Sequence, residues 1–367
     1  RFNQIDAKAK EQYDEENKRE VEFSKAGRGE RRKTGDLTWF AGDLHSHSFY
    51  SDGRWSIEGI LKSASAKDLD FVSIVDHNTF AHHQKMETAG AKFPEILAIR
   101  GEEVTTHGGH INVWGLPKNE WVDFRVTPNL EESAQKIANE AAKFGAIASI
   151  NHPFMDCPGC GWTYGKWGNL SAVEIWNGKW DEQDQRALVE WDKLLLNDVK
   201  VTGIASSDSH QQPNEPSKYP LNLPIGEPTV FVAAREKTVE AILGGIKDHK
   251  VFSADNPRRW MMLTANETAT IGDTIEVPYG EVVKFKFTLG NFENGSKFWL
   301  YANGQVAKEY LIYEQNYEGE YNIYAKQDGY VRLEVRNAKN EMLGFSNPIF
   351  FRVKYPDESP RASKDQK

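Results

Sequence analysis

Asp43-Leu44-His45-Ser46-His47, continued by Ser51-Asp52-Gly53, sets two imidazoles two residues apart with a carboxylate on either side. On an extended segment, residues i and i+2 face the same way, so His45 and His47 present their rings together. Such a pair is a poor choice for a core and a good metal clamp. The motif has company: Asp76-His77-Asn78, Gly101-Glu102-Glu103 with Gly109-His110, Asn151-His152-Pro153, and Ser207-Asp208-Ser209-His210. Six of the ten histidines thus stand at a predicted strand end beside an acid, a small residue or a proline. His82, His83, His107 and His249 lack that placement and read as structural or solvent-exposed. One such histidine is ordinarily a satisfied polar group, but the whole set, at the same end of successive strands, points to a metal site. Mixed nitrogen and oxygen donors suit Zn, Mn or Fe. The donors outnumber what one tetrahedral ion takes, so two or three divalent ions around a shared carboxylate are expected. Ions so placed activate water for hydrolysis.

The elements that must position these residues alternate in type. Apolar strand candidates are Trp39–Leu44, Phe71–Val75, Ile96–Ile99, His110–Trp114, Ala146–Ile150, Ala172–Ile175 and Val201–Ala205. Amphipathic helical stretches lie between several of them: Ser56–Lys67, Leu130–Phe144, Asp181–Leu196 and Thr238–His249. This alternation predicts parallel strands with crossover helices, hence an α/β barrel or a doubly wound sheet. In both, ligands gather at the carboxyl ends of the strands. Beyond residue 255 the helical pattern stops. Short runs such as Val282–Leu289, Lys297–Tyr301, Tyr330–Val335 and Ile349–Val353 predict a small β-sandwich over 256–355. Residues 1–35 read as a charged arm or helix, 36–255 as the α/β body, and 356–367 as a disordered polar tail.

The chain has 367 residues, more than one ordinary core holds, in keeping with two domains. A net charge of −9 disfavours nucleic acid as a partner, whereas bound cations would still admit a small phosphoester. No apolar stretch approaches the ~18–20 residues that span a bilayer. Arg1 rather than Met opens the chain, compatible with a removed export signal or a shortened chain. Cys157 and Cys160, in a Cys-Pro-Gly-Cys turn, read as a local disulfide or as two plain thiols. The oligomeric state is open.

These motifs together resemble the PHP (polymerase and histidinol phosphatase) family of metal-dependent phosphoesterases. The resemblance covers about Trp39 to Ser253 and implies a distorted (β/α)7 barrel with a two- or three-metal site at its carboxyl rim. It further implies His45, His47, Asp52, His77, Glu103, His110, His152, Asp208 and His210 as ligands. Glu103, not Glu102, would bridge two ions. Asp208 would also hold or accept the proton of the nucleophile, which makes Asp208, Glu103 and His210 the catalytic candidates. The Trp-Phe-Ala-Gly-Asp-Leu-His opening and Ser346-Asn347-Pro348-Ile349 resemble a carbaryl-hydrolase-like branch. Its members are frequently exported, which implies a secreted or periplasmic location over a cytoplasmic one.

The expected reaction is attack of a metal-bridging hydroxide on a phosphoester, a diester before a monoester. A carbamate or carboxyl ester, or a binding protein with structural metals, are the alternatives. Arg100 and Lys179 are candidate phosphate contacts, and Trp162 and Trp176 candidate walls for a ring-bearing leaving group. Asp76 is expected to orient an imidazole, and Asp43 to serve either as that or as a plain strand-end hydrogen bond.

Overall fold

The computed structural model of the protein describes residues 29–126, 130–167, 170–211 and 224–356. Most of the predicted N-terminal arm and the tail from residue 357 lie outside the described residues. Lys33–Thr34 (β1) folds back on Leu37–Asp43 (β2), which stops just before His45. The Ser56 hydroxyl accepts from Gly59 N to cap the helix Ile57–Ala66 (α1), which buries Ile57, Ile60, Leu61 and Ala64. Phe71–Ile74 (β3) follows, parallel to β2. Then come His83–Gly90 (α2) and Leu97–Thr106 (β4), the latter parallel to β3.

Here the parallel order breaks. Only His107 and Gly108 separate β4 from Gly109–Trp114 (β5), a link far too short for a crossover, so the two form an antiparallel hairpin. After the helix Leu130–Lys143 (α3), Ile147–Ile150 (β6) pairs antiparallel with β5. Parallel pairing resumes with Ala172–Asn177 (β7), the helix Glu182–Leu196 (α4) and Thr202–Ser206 (β8). Asp181 and Asp184 start α4 with a capping box. Thr229–Ala234 (β9) runs antiparallel to β2. Past the helix Val239–Lys247 (α5), Val251–Ala254 (β10) runs antiparallel to β9. The chain beyond β8 returns to β2: Ser46 bridges Ser209 in parallel, and His47 N donates to Ser209 O at 2.9 Å. The all-parallel pattern expected from the sequence is therefore corrected to a mixed one. No described helix is long and apolar enough to cross a membrane.

The remaining strands are Trp260–Ala265 (β11), Ala269–Thr270 (β12), Thr274–Pro278 (β13), Val282–Gly290 (β14), Lys297–Ala302 (β15) and Gln305–Leu311 (β16). Asn316–Tyr324 (β17), Gly329–Arg336 (β18), Met342–Ser346 (β19) and Ile349–Lys354 (β20) complete them. β12, β11, β14 and β17 form one sheet. Its buried Phe285 and Phe287 pack with Phe298, Leu300, Leu333 and Phe351 of the strands opposite. Those opposite strands are not a separate sheet. β19 pairs antiparallel with β10, Phe252 facing Ser346 and Ala254 facing Gly344, so one hydrogen-bonded sheet runs from the β part through the α/β body.

Two buried polar contacts reinforce that seam. Arg332 reaches Asp192 of α4 at 2.6 Å and Glu334 at 2.9 Å. Asn347 accepts from Gly203 N at 2.9 Å and donates to Gly203 O at 2.7 Å and Val251 O at 3.0 Å. Asn347→Ala strands buried backbone groups on β8, so a loss of at least about 2 kcal/mol is expected in urea unfolding. His249, in the turn before β10 with φ 57°, meets Thr202 Oγ1 at 2.8 Å. Burial, helped by Lys200, lowers its pKa from 6.5 to about 4. The unfolded chain therefore binds a proton that the folded one refuses between those values, and stability falls with acid in that window. His249→Asn, which tolerates the left-handed backbone, should lose less stability than the parent between pH 6.5 and about 4.

Candidate metal centre

The strand ends bring the chemistry together. His45 and His47 follow β2, His77 follows β3, His152 follows β6, and Asp208 and His210 follow β8. His110 comes from the start of β5, and the antiparallel hairpin explains why it belongs: its register sets His110 opposite Thr105, beside the carboxyl end of β4. Glu103 lies on β4 itself.

Glu103 is the centre of the group. Its Oε2 is 3.4 Å from His45 Nε2, 3.2 Å from His47 Nε2 and 3.0 Å from His77 Nδ1. Its Oε1 is 3.0 Å from His110 Nδ1 and 3.4 Å from His152 Nε2. Asp208 Oδ1 lies 3.2 Å from both His45 Nε2 and His47 Nε2. On the outer side, Asp52 Oδ1 is 3.5 Å from His77 Nε2 and 3.3 Å from His210 Nε2. All the residues expected as ligands thus meet in one place. Seven of them form three overlapping groups whose donor atoms could hold an ion: His47, Asp52, His77 and His210; His45, His47 and Glu103; His77, Glu103 and His110. His152 and Asp208 border these groups, against Glu103 and against His45 and His47.

The arrangement fits cations. Glu103 Oε2 and Asp208 Oδ1 are buried with no hydrogen-bond partner. The Nε2 atoms of His45 and His47 stand 3.0 Å apart, where at most one proton fits between them. Acceptors so crowded need positive charge. Without an ion, protons supply it. Burial pulls His77 down, but Glu103 and Asp52 outweigh that and lift it to about 11. His210 is likewise opposed by burial yet lifted to about 9 by Asp208 and Asp52. Burial would raise Glu103, but His77, His45 and His110 drive it well below the usual carboxylate range. Asp208 is driven down against burial by His45, His210 and His47. His152 and Asp208 also carry positive φ, 25° and 52°, the kind of backbone that collects at working sites.

Residues behind the cluster brace it. Asn151 Nδ2 donates to Glu103 Oε1 at 2.8 Å, and Thr105 Oγ1 lies 2.5 Å from His77 Nδ1. Asp43 is a strand-end hydrogen-bond hub, accepting from Ser207 N at 3.2 Å and Gly226 N at 2.8 Å. Asp76 departs from expectation. It does not reach His77 but accepts from Ser48 N, Ser48 Oγ and Ser51 Oγ and pairs with His82 Nδ1 at 3.0 Å, because its side chain turns back under the Ser48 loop. Glu102 points away from Glu103, accepting from Val122 N at 2.7 Å.

The substrate candidates are mostly not in the cluster. Arg100, on the Glu102 side of β4, donates to Leu116 O at 3.1 Å. Lys179 is exposed in the turn after β7. Trp176 is buried, donating to Gly178 O at 2.8 Å and edge-on to Trp180, so it caps the body. Trp162 alone stays near, packed over Gly109 next to His110, with its backbone tied to Pro153 O. Cys157 and Cys160, in the same loop, are joined as a disulfide. Glu174 of β7, 2.6 Å from His45 Nδ1, was not singled out by its sequence context. A lone acid inside Ala-Val-Glu-Ile-Trp, an otherwise apolar strand, is the signal that marks it.

No family model matches the chain. The uncharacterized protein MJ1587 of Methanocaldococcus jannaschii is 31% identical over 123 residues, which cover 30% of this chain and 67% of that protein. A two-domain protein from Bacteroides vulgatus, described as containing a predicted PHP-like metal-dependent phosphoesterase, shares the fold at a TM-score of 0.50 and 19% identity. That match covers 88% of this chain and 99% of the other. An amidohydrolase from Chromobacterium violaceum matches at a TM-score of 0.34 and 16% identity over 50% of this chain and 93% of its own.

Because His77 and His210 are protonated near neutrality in the ion-free cluster, metal uptake must expel protons. Calorimetric titration with Zn or Mn in buffers of different ionisation enthalpy should show proton release, with affinity tightening from about pH 6 to about pH 8. Affinity that stays flat across that range would contradict protonated His77 and His210 in the ion-free protein.

Proposed function

We propose that this chain, which belongs to the same family as MJ1587 and shares the fold of the Bacteroides vulgatus protein, is a metal-dependent phosphoesterase, with phosphodiesters its substrates. The observation that carries this reading is the gradient of exposure across the cluster. His45, His47 and Glu103 are buried, while the side chains of His77, His210 and Asp52 are 23%, 30% and 58% exposed. Structural metal sites are closed on all sides, whereas catalytic ones keep an open position. The Asp52 side is that opening.

Two or three divalent ions held by the nine residues would supply Lewis acidity, lowering the pKa of water and screening the charge of the phosphoester. The inner residues keep the acceptors fixed. Glu103 presents both oxygens, one toward His45, His47 and His77 and the other toward His110 and His152. Asp208 Oδ1, without a hydrogen-bond donor, takes the proton of the attacking water. His210, on the open side with Nδ1 2.8 Å from Asp208 O, faces the incoming ester. A diester is favoured because it carries one negative charge rather than two, and the two cations the sequence offered for a phosphate, Arg100 and Lys179, are not among the cluster. An oxidising, exported setting accords with the Cys157–Cys160 disulfide.

The metal-loaded protein, assayed on a bis-aryl phosphate, an aryl monophosphate and an aryl carbamate, should prefer the diester. Asp208→Asn should cut kcat by about a hundredfold or more while the protein stays folded. Turnover of the carbamate alone would replace phosphorus with carbon as the electrophile. Normal turnover by folded His47→Ala and Asp208→Ala would move catalysis elsewhere.

A further inference from the structure

Glu174 is a fully buried carboxylate between Val173 and Ile175, where a charge is costly unless every oxygen is engaged. Its oxygens are engaged, and by the metal cluster. Oε1 lies 2.6 Å from His45 Nδ1 and also accepts the Ser206 hydroxyl. Oε2 accepts from His152 N at 2.8 Å and from Asn177 Nδ2 at 3.1 Å. The same Asn177 amide reaches Asp208 Oδ2 at 3.3 Å.

Local geometry shows how one strand delivers both groups. Residues three apart on a regular strand face opposite ways. In β7, however, Glu174 pairs with Ile204, Trp176 with Ala205 and Asn177 with Ser206, which leaves Ile175 as an extra residue. That bulge resets the alternation, so Glu174 and Asn177 point to the same side.

Resting on the metal-centre reading, we infer that Glu174 and Asn177 are positioning residues that preset His45, His152 and Asp208 for the ions. Glu174 keeps the His45 proton on Nδ1 and leaves Nε2 bare toward Glu103 and Asp208. It ties down the His152 backbone, whose φ of 25° is unfavourable for any residue but glycine. Asn177 occupies Asp208 Oδ2 and leaves Oδ1 for the site.

The test is metal affinity, read by competition with a chromophoric chelator for Zn or Mn, alongside thermal unfolding of the ion-free proteins. Glu174→Gln preserves the size of the side chain, and its affinity for the first ion should fall 10- to 100-fold. Asn177→Ala, which leaves Glu174 in place, should weaken affinity by about 3- to 10-fold. Parental affinity in folded Glu174→Gln, whatever its thermal stability, would assign Glu174 to the fold alone and overturn the inference. If Glu174→Gln does not fold, Asn177→Ala decides: weakened binding supports the inference and parental binding overturns it. A parent protein that takes up no divalent ion would instead overturn the metal centre itself, and the two failures are thereby told apart.

Discussion

A carboxylate buried at the meeting point of five imidazoles organises this molecule. Glu103 could not stay ionised in the interior without them, and they could not crowd so closely without its charge. Each contact near 3 Å, in surroundings that screen poorly, is strong enough to set the positions of the loops that carry the rings. Those loops come from separate strands, far apart in the chain. The cluster is therefore as much a constraint on the fold as the fold is on the cluster. Protons or cations must occupy it at all times.

Around that centre lies a layer of short polar side chains that tie strand ends to one another. Asp43 joins the end of β2 to Ser207 past β8 and to Gly226 before β9. Asn151 joins β6 to Glu103, and its own oxygen accepts from Asn112 N of β5. Asp76 joins the end of β3 to the Ser48–Ser51 loop and to His82. Every one is buried and every one links segments distant in sequence. Such groups are expensive to bury singly but rigid when fully paired.

The meeting of these nine side chains is legible in the sequence because the candidate ligands are written in pairs of residues at fixed spacing, and because strand ends can be located from apolar runs. The helices α1, α3, α4 and α5 fall within the predicted amphipathic stretches for the same reason, since each has one buried face. What could not be read was set by tertiary pairing. The β4–β5 hairpin sets an antiparallel step into what the alternation of strand and helix suggests is a parallel sheet, although His107-Gly108-Gly109 is a turn-forming run. β9 and β10 look like ordinary apolar runs, and nothing local states which strand each will face. β17 gives only a weak strand signal, because an edge strand of Asn, Tyr, Glu and Gly carries a single aliphatic residue, Ile323. Asp76 turns to His82 and the Ser48–Ser51 loop rather than to His77, because adjacency in sequence is not adjacency of side chains in space. Glu174 is harder to read because His45, His152 and Ser206, which it meets, come from the ends of β2, β6 and β8, far from it in sequence.

The pairing of β10 with β19 carries a consequence for how such a chain can be taken apart. A sheet that runs unbroken across two regions leaves no natural cut between them. Ending the chain near residue 255 would uncover Val251–Ala254 as a raw edge of unmatched amides and carbonyls, and such an edge recruits whatever strand it meets. Shuffling the C-terminal region onto another scaffold would expose the complementary edge of β19. A fragment of either region should self-associate through that uncovered edge before it behaves as an independent unit.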